Sequence, residues 1–173
     1  HRGCRIYILL AALAYGGLFA FISGSSFVLQ GRYGLGELPF AFSFAVMVVG
    51  YIAGTLLAQR IVGRRGLDGT IALGVAAQAA GGVLMLGLGA LGTGTSAEVT
   101  LPMALYTLGV GLTLPQVMAS AMMPFPAKAG AASSLLGIVQ MSFAACVGIG
   151  LGLALDHVAL ALPAVIAALG LAA

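Results

Sequence analysis

Charge is what this chain has least of. Of its 173 residues, seven are Lys or Arg and four are Asp or Glu, 6% in all. Soluble domains carry roughly 25%, so a water-exposed globular surface is excluded. The net charge of +3 is spread thinly along the chain. Nucleic-acid binding needs a clustered basic face and is excluded as well. Asn is absent, so no N-glycosylation acceptor exists. Two cysteines, Cys4 and Cys146, are too few for a disulfide framework. One precedes an apolar run and the other lies inside one, where a small packed side chain is the expected role. The signatures GxxxxGK[ST], HExxH and GxSxG are all missing. Gly87–Gly92 fits GxGxxG, but it closes an apolar run with no strand before it, so no dinucleotide site is expected. The reading is of a protein that is no enzyme and carries no cofactor or metal.

What is present is apolar length. Hydrophobic residues make up 61% of the chain, gathered in six runs: 6–29, 38–59, 70–91, 99–123, 131–155 and 158–173. A bilayer hydrocarbon core of roughly 30 Å asks for about 20 apolar residues per helix. Strands of a membrane barrel would be shorter and would alternate polar with apolar. Backbone groups in lipid must be satisfied within the segment, which leaves helices. The expected fold class is an all-α membrane protein with six transmembrane helices, forming one bundle over 1–173. The last run is short for an untilted span, and the first residue is His1, so the chain reads as cut at both ends.

The breaks alternate in sign. Arg2 and Arg5 precede the first run, and Arg60, Arg64 and Arg65 outnumber Asp68 between the second and third. Lys128 lies between the fourth and fifth runs. The intervening breaks are neutral (Arg32 with Glu37) or acidic (Glu98; Asp156 beside His157). By the positive-inside rule the basic breaks are cytoplasmic, as are both ends of the chain.

No run carries a charged residue or His in its interior. A charge there costs at least ~2.5–3.5 kcal/mol and is kept mainly for function, so a proton-coupling group is not expected within this chain. Neutral polarity remains. Tyr106, Thr113, Gln116 and Ser120 form one stripe on the fourth helix. Tyr15, Phe19 and Ser23 form another on the first. Ser43, Tyr51 and Thr55 share a face with Met47, and Ser133 and Gln140 lie seven apart. Such stripes face a neighbouring helix or a polar cavity. Single members suit packing, while several converging stripes suit a cavity for an amphipathic ligand. Small residues at Gly16-x3-Ala20-x3-Gly24, Gly50-x3-Gly54 and Gly148-x3-Gly152 are spaced for close helix contact. Pro39 sits in a first helical turn. Pro115 is expected to kink the fourth helix, and Pro163 to bend the sixth.

Three segments carry a family resemblance. Phe21-Ile22-Ser23-Gly24-Ser25-Ser26-Phe27-Val28 resembles the end of the seventh helix in the Bcr/CflA drug-efflux group of the major facilitator superfamily, with Ser26 where a proline is common. Gly54 to Gly66, including Arg60, Arg64 and Arg65, resembles the second copy of the superfamily's cytoplasmic loop motif. Ala58 replaces its acidic residue, so an Asp–Arg latch is not expected. Leu114-Pro115-Gln116, Pro124-Phe125-Pro126 and Ala129 through Gly137, with Gln140, resemble the region from the tenth to the eleventh helix.

The resemblance implies the C-terminal bundle of a major facilitator fold, in a bacterial inner membrane. It implies a missing N-terminal half bearing the coupling carboxylates, and efflux of small drug-like compounds by alternating access. It favours Tyr15, Phe19, Tyr106 and Thr113 as candidate substrate contacts, and the polar stripes add Ser23, Gln116 and Gln140 as candidates. Two other readings stay open. One is a six-helix membrane scaffold or dimerising module without transport of its own. The other is a facilitator carrier for another metabolite; the lack of Asn and Trp speaks against sugars.

Overall fold

A computed structural model describes residues 2–92, 94–124, 129–155, 158 and 160–173. Helix accounts for nearly all of them. The elements are α1 (Arg2–Ser25), continued by a π-helical segment (Ser26–Arg32), α2 (Glu37–Leu91), α3 (Ala97–Met122), α4 (Ala129–Leu155) and α5 (Ala161–Ala172). Four helical stretches are long and apolar enough to cross a bilayer, and α5 is shorter.

The 55 residues of α2 would span about 80 Å if straight, far beyond any bilayer. Gly66 solves this. Its φ of 71° and ψ of 179° lie outside helical space, in a region open only to glycine, and they divide α2 into arms 37–65 and 67–91. The expected loop over 60–69 is therefore a one-residue break. Arg60, Arg64 and Arg65 remain helical because the helix satisfies their backbone groups as it leaves the apolar layer, and arginine is a good helix former. The same reasoning starts α1 at Arg2 rather than at 6. Gly92, at φ 62°, ends the second arm, its N–H donating to the Leu88 carbonyl.

Helix neighbours can be followed by residue pairs. A side chain at Gly50 would strike the Ala104 carbonyl, one at Gly54 the Leu108 carbonyl, and one at Gly111 the Tyr51 carbonyl. The first arm thus runs parallel to α3. In the second arm Gly74 meets Gly109 and Thr113, while Gly81 meets Pro102 and Tyr106. The pairing reverses, so this arm is antiparallel, and α3 lies against both. Gly82 meets Ala167 and Gly89 meets Leu160, which lays α5 along the second arm. Gly16 meets Phe143 and Gly24 meets Leu151, which sets α4 parallel to α1. The core gathers Phe21, Leu29, Met85, Met103, Tyr106, Val110, Leu162 and Ile166.

Two small-residue stripes are helix contacts, as their spacing implied. The third is half used: Gly148 touches Phe19, but Gly152 has open space beside it. Pro163 sits in the first turn of α5, which begins at Ala161 rather than 158, so its missing N–H needs no bend. The Lys128 break and the Asp156–His157 turn lie outside the described residues.

Candidate substrate-binding face

The sequence-predicted contacts divide into two sets. Tyr15, Phe19 and Ser23 lie on a strip of α1 that its neighbours leave partly uncovered, together with Leu18 and Ile22. On one side of this strip stands α4, where Gly148 approaches the Phe19 ring and the Ser23 hydroxyl. On the other side stands the first arm of α2. There a recess of about 180 Å³ is lined by Leu18, Ile22, Met47, Val48, Tyr51 and Thr107. Its lining is apolar apart from the Tyr51 phenol and the Thr107 hydroxyl. The Thr107 hydroxyl already donates to the Met47 carbonyl at 2.9 Å. Such a surface suits an amphipathic molecule with a flat apolar body.

Tyr106, Thr113 and Gln140 are buried between helices. Tyr106 presses its phenol on Gly17 of α1, where any side chain at 17 would overlap the ring. Its hydroxyl is buried without a hydrogen-bond partner among the described residues. Gln78 Nε2 donates to Thr113 Oγ1 at 3.0 Å, tying the second arm of α2 to α3. Gln140 Nε2 donates to the Ala11 carbonyl at 3.3 Å, tying α4 to α1. Gln116 is half-buried on α3. The polar stripe on α3 thus meets helices: Tyr106 meets α1, Thr113 meets α2, and Ser120 lies beside Tyr7. The chain is helical on both sides of Pro115. The loop-motif residues Gly54, Arg60, Arg64, Arg65 and Gly66 fall on the first arm and its break, Gly54 against α3 and the arginines exposed.

Sequence reasoning missed three features. Gln78 is the only amide in the 70–91 run, and that isolation was its signal. The π-helical turn at Ser26–Arg32 gave no sequence warning. The Ser26 hydroxyl donates to Gln30 Oε1 at 2.7 Å, and Tyr33 N–H reaches back to the Val28 carbonyl at 3.1 Å. A π-turn shifts the register of the residues C-terminal to it and often marks functional segments.

The third feature lies just past this turn. The Tyr33 hydroxyl donates to Glu98 Oε2 at 3.1 Å, joining the end of α1 to the start of α3. Glu98 is only 3% exposed. It also accepts from the Thr95 N–H at 3.3 Å, and a carboxylate in a first helical turn is favoured by the helix dipole. Burial, and then the Glu98 carboxylate, hold the Tyr33 phenol above its ordinary 10.0, against a smaller opposing pull from Arg32.

No family model matches the chain. Over 142 residues it is 29% identical to a bicyclomycin resistance protein homolog of Haemophilus influenzae, covering 82% of this chain and 35% of that protein. Over 135 residues it is 26% identical to an MFS-type transporter of Bacillus subtilis, covering 78% of this chain and 33% of that one. The chain spans about a third of the length of the curated relatives it matches. It resembles major facilitator transporters of the bicyclomycin-resistance kind. Its helices are those of a multi-pass membrane protein, and its likeness is to carriers rather than enzymes.

Proposed function

We propose that this chain forms the C-terminal half of a proton-coupled multidrug efflux transporter of a bacterial inner membrane, with both ends cytoplasmic. It would export small amphipathic compounds by alternating access. The carboxylates that take up protons would lie on a separate N-terminal half, since no run here holds a charged residue or His in its interior. The observation that carries this reading is the uncovered strip of α1. A helix flanked by α4 and the first arm of α2, yet open between them and bearing Tyr15, Phe19 and Ser23, is the wall of a shared cavity. The likeness to a bicyclomycin resistance protein homolog supports a drug-like ligand.

In this reading Tyr15, Phe19 and Ser23 touch substrate, with Tyr51 and Met47 at the side. Tyr106, Thr113 and Gln140 are buried between helices and fix their spacing. Gln116, half-buried further along α3, would be a further contact. Pro115 leaves the Gly111 carbonyl without its usual helical donor, which gives α3 a place to flex as access alternates.

The test is expression of the full-length protein in a bacterium stripped of its own efflux pumps. Resistance to a panel of amphipathic drugs should rise, and Phe19→Ala should narrow that range while membrane levels stay normal. No gain of resistance, with the protein correctly inserted, would favour a scaffold. Orientation has its own check: a cysteine at Gly63 should resist impermeant thiol reagents in intact cells, and ready labelling would invert the topology.

A further inference from the structure

The first arm of α2 ends in a face that the transport reading does not use. Leu57, Arg60, Ile61, Arg64 and Arg65 succeed one another at helical spacing and share one side of the helix. Leu73 of the second arm stands across from them. Together these six line a groove of about 440 Å³ beside the Gly66 break. Among the described residues no carboxylate lines this groove. Asp68, the nearest acidic residue in sequence, accepts instead from the Tyr7 hydroxyl at 3.0 Å, in an adjoining crevice whose wall Arg65 shares with the groove. Three guanidinium groups thus sit above an apolar floor, all three exposed.

The level of this groove in the bilayer is set by length. The arm 37–65 is about 44 Å long at 1.5 Å per residue. A hydrocarbon core takes up roughly 30 Å and the headgroup layers bring the total to about 40–45 Å. The arginine turns therefore fall among headgroups, while Leu57 and Ile61 reach toward the acyl chains. A guanidinium matches phosphate oxygens in planar, forked geometry and loses less to dehydration than an ammonium.

We propose that this groove seats one anionic phospholipid. Its phosphate lies among Arg60, Arg64 and Arg65, and its first acyl methylenes lie along Leu57, Ile61 and Leu73. Charge complementarity selects the headgroup, and the apolar floor selects a lipid over a free anion.

The experiment uses the full-length protein, purified in detergent and titrated with phosphatidylglycerol while retained lipid is counted by native mass spectrometry. R60Q/R64Q/R65Q should lower phosphatidylglycerol retention about tenfold. R5Q removes one exposed arginine of α1 that lies outside the groove and should leave retention unchanged. The triple lysine variant keeps the charge that orients the helices and should lie between the two. Inorganic phosphate in large excess should not displace the lipid. Equal losses in R5Q and the triple glutamine variant would overturn the proposal, because charge alone would explain binding. Displacement by inorganic phosphate would overturn it too, leaving an anion site without a lipid. Should the triple glutamine variant insert poorly, R64Q alone decides: about threefold weaker retention upholds the groove, and no change refutes it.

Discussion

Helices α3 and α4 are nearly equal in length, 26 and 27 residues, and both read as plain membrane spans. The structure treats them as opposites. In the most apolar stretch of α3, 67% of residues are buried, against 17% in α4. The more buried helix is also the less apolar of the two. In water this would be perverse. In lipid it is expected, because a leucine gains nothing by leaving acyl chains for protein, whereas hydroxyls, amides and close backbone contacts are worth most inside. Thr107, Thr113, Gly109 and Gly111 are what bring α3 to the centre, and Leu135, Ile138, Met141, Ile149 and Leu153 leave α4 facing outward.

The comparison breaks most violently at Gly54. A valine there would drive its methyl groups into the Leu108 carbonyl and the backbone beside it. Backbone cannot rotate aside as a side chain can. Overpacking costs about 1–3 kcal/mol where side chains can give, and more where they cannot. Gly54→Val is therefore expected to cost at least ~3 kcal/mol and to remove most monodisperse protein from detergent extracts, as size-exclusion chromatography would show. Normal yield and stability would mean that the first arm does not rest on α3.

Next in size is the pair Gln78 and Thr113. Thr113→Val strands the Gln78 amide in a site with no exposure, and one buried donor left unmade costs about 1–3 kcal/mol. Pairing the change with Gln78→Leu should recover most of the loss. Unfolding in mixed micelles would measure both. If the single and double variants lose equally, the amide is not held by Thr113.

A smaller effect concerns the end where α1 meets α3. The Tyr33 phenol has its pKa raised above 10.0 by burial and by Glu98. As pH climbs, the unfolded phenol ionises first. The stabilisation from Tyr33 is thus complete below pH 10 and is lost as pH rises through the higher folded value. The thermal midpoint should fall more steeply above pH 10 in the parent than in Tyr33→Phe. Parallel curves would mean that this junction adds nothing to stability.

Much of the helix content was legible in the sequence because apolar length is a direct readout of bilayer thickness. The breaks near 33–36 and after Leu91 carry glycine, and the helices end there. What the sequence concealed is which way each helix faces. Periodicity separates wet from dry, but a lipid-facing leucine and a core leucine look alike. That is why Tyr106 and Thr113 suggested a cavity as readily as a core, and why nothing marked α4 as half-naked. The arginines near 60–65 suggested a loop because charge was equated with chain reversal. The reversal belongs to Gly66 alone, whose backbone no arginine can imitate. The candidate site was legible in part. Spacing alone puts Tyr15, Phe19 and Ser23 on one face of α1, while the recess beside them depends on Met47 and Tyr51, whose helix becomes a neighbour only in three dimensions.

The smallest expected effect is the sharpest test of the comparison. On α4, Gly152 has no atom near enough to meet an added side chain. Gly148, one turn earlier, has the Phe19 ring 3.1 Å from where its Cβ would stand. A helix that merely faced lipid would accept leucine at 152 with no consequence, and surface changes of this kind usually stay within about ±0.5 kcal/mol. A helix that borders a second bundle would not. On the proposed transport reading, Gly152→Leu in the full-length protein should leave the unfolding midpoint nearly unmoved yet depress drug export, because alternating access would require two halves to close on one another. Gly148→Leu should disturb both, since it also forces α4 away from α1. If Gly152→Leu leaves export untouched, the open side of α4 belongs to lipid, and the other half must meet this bundle along a different face.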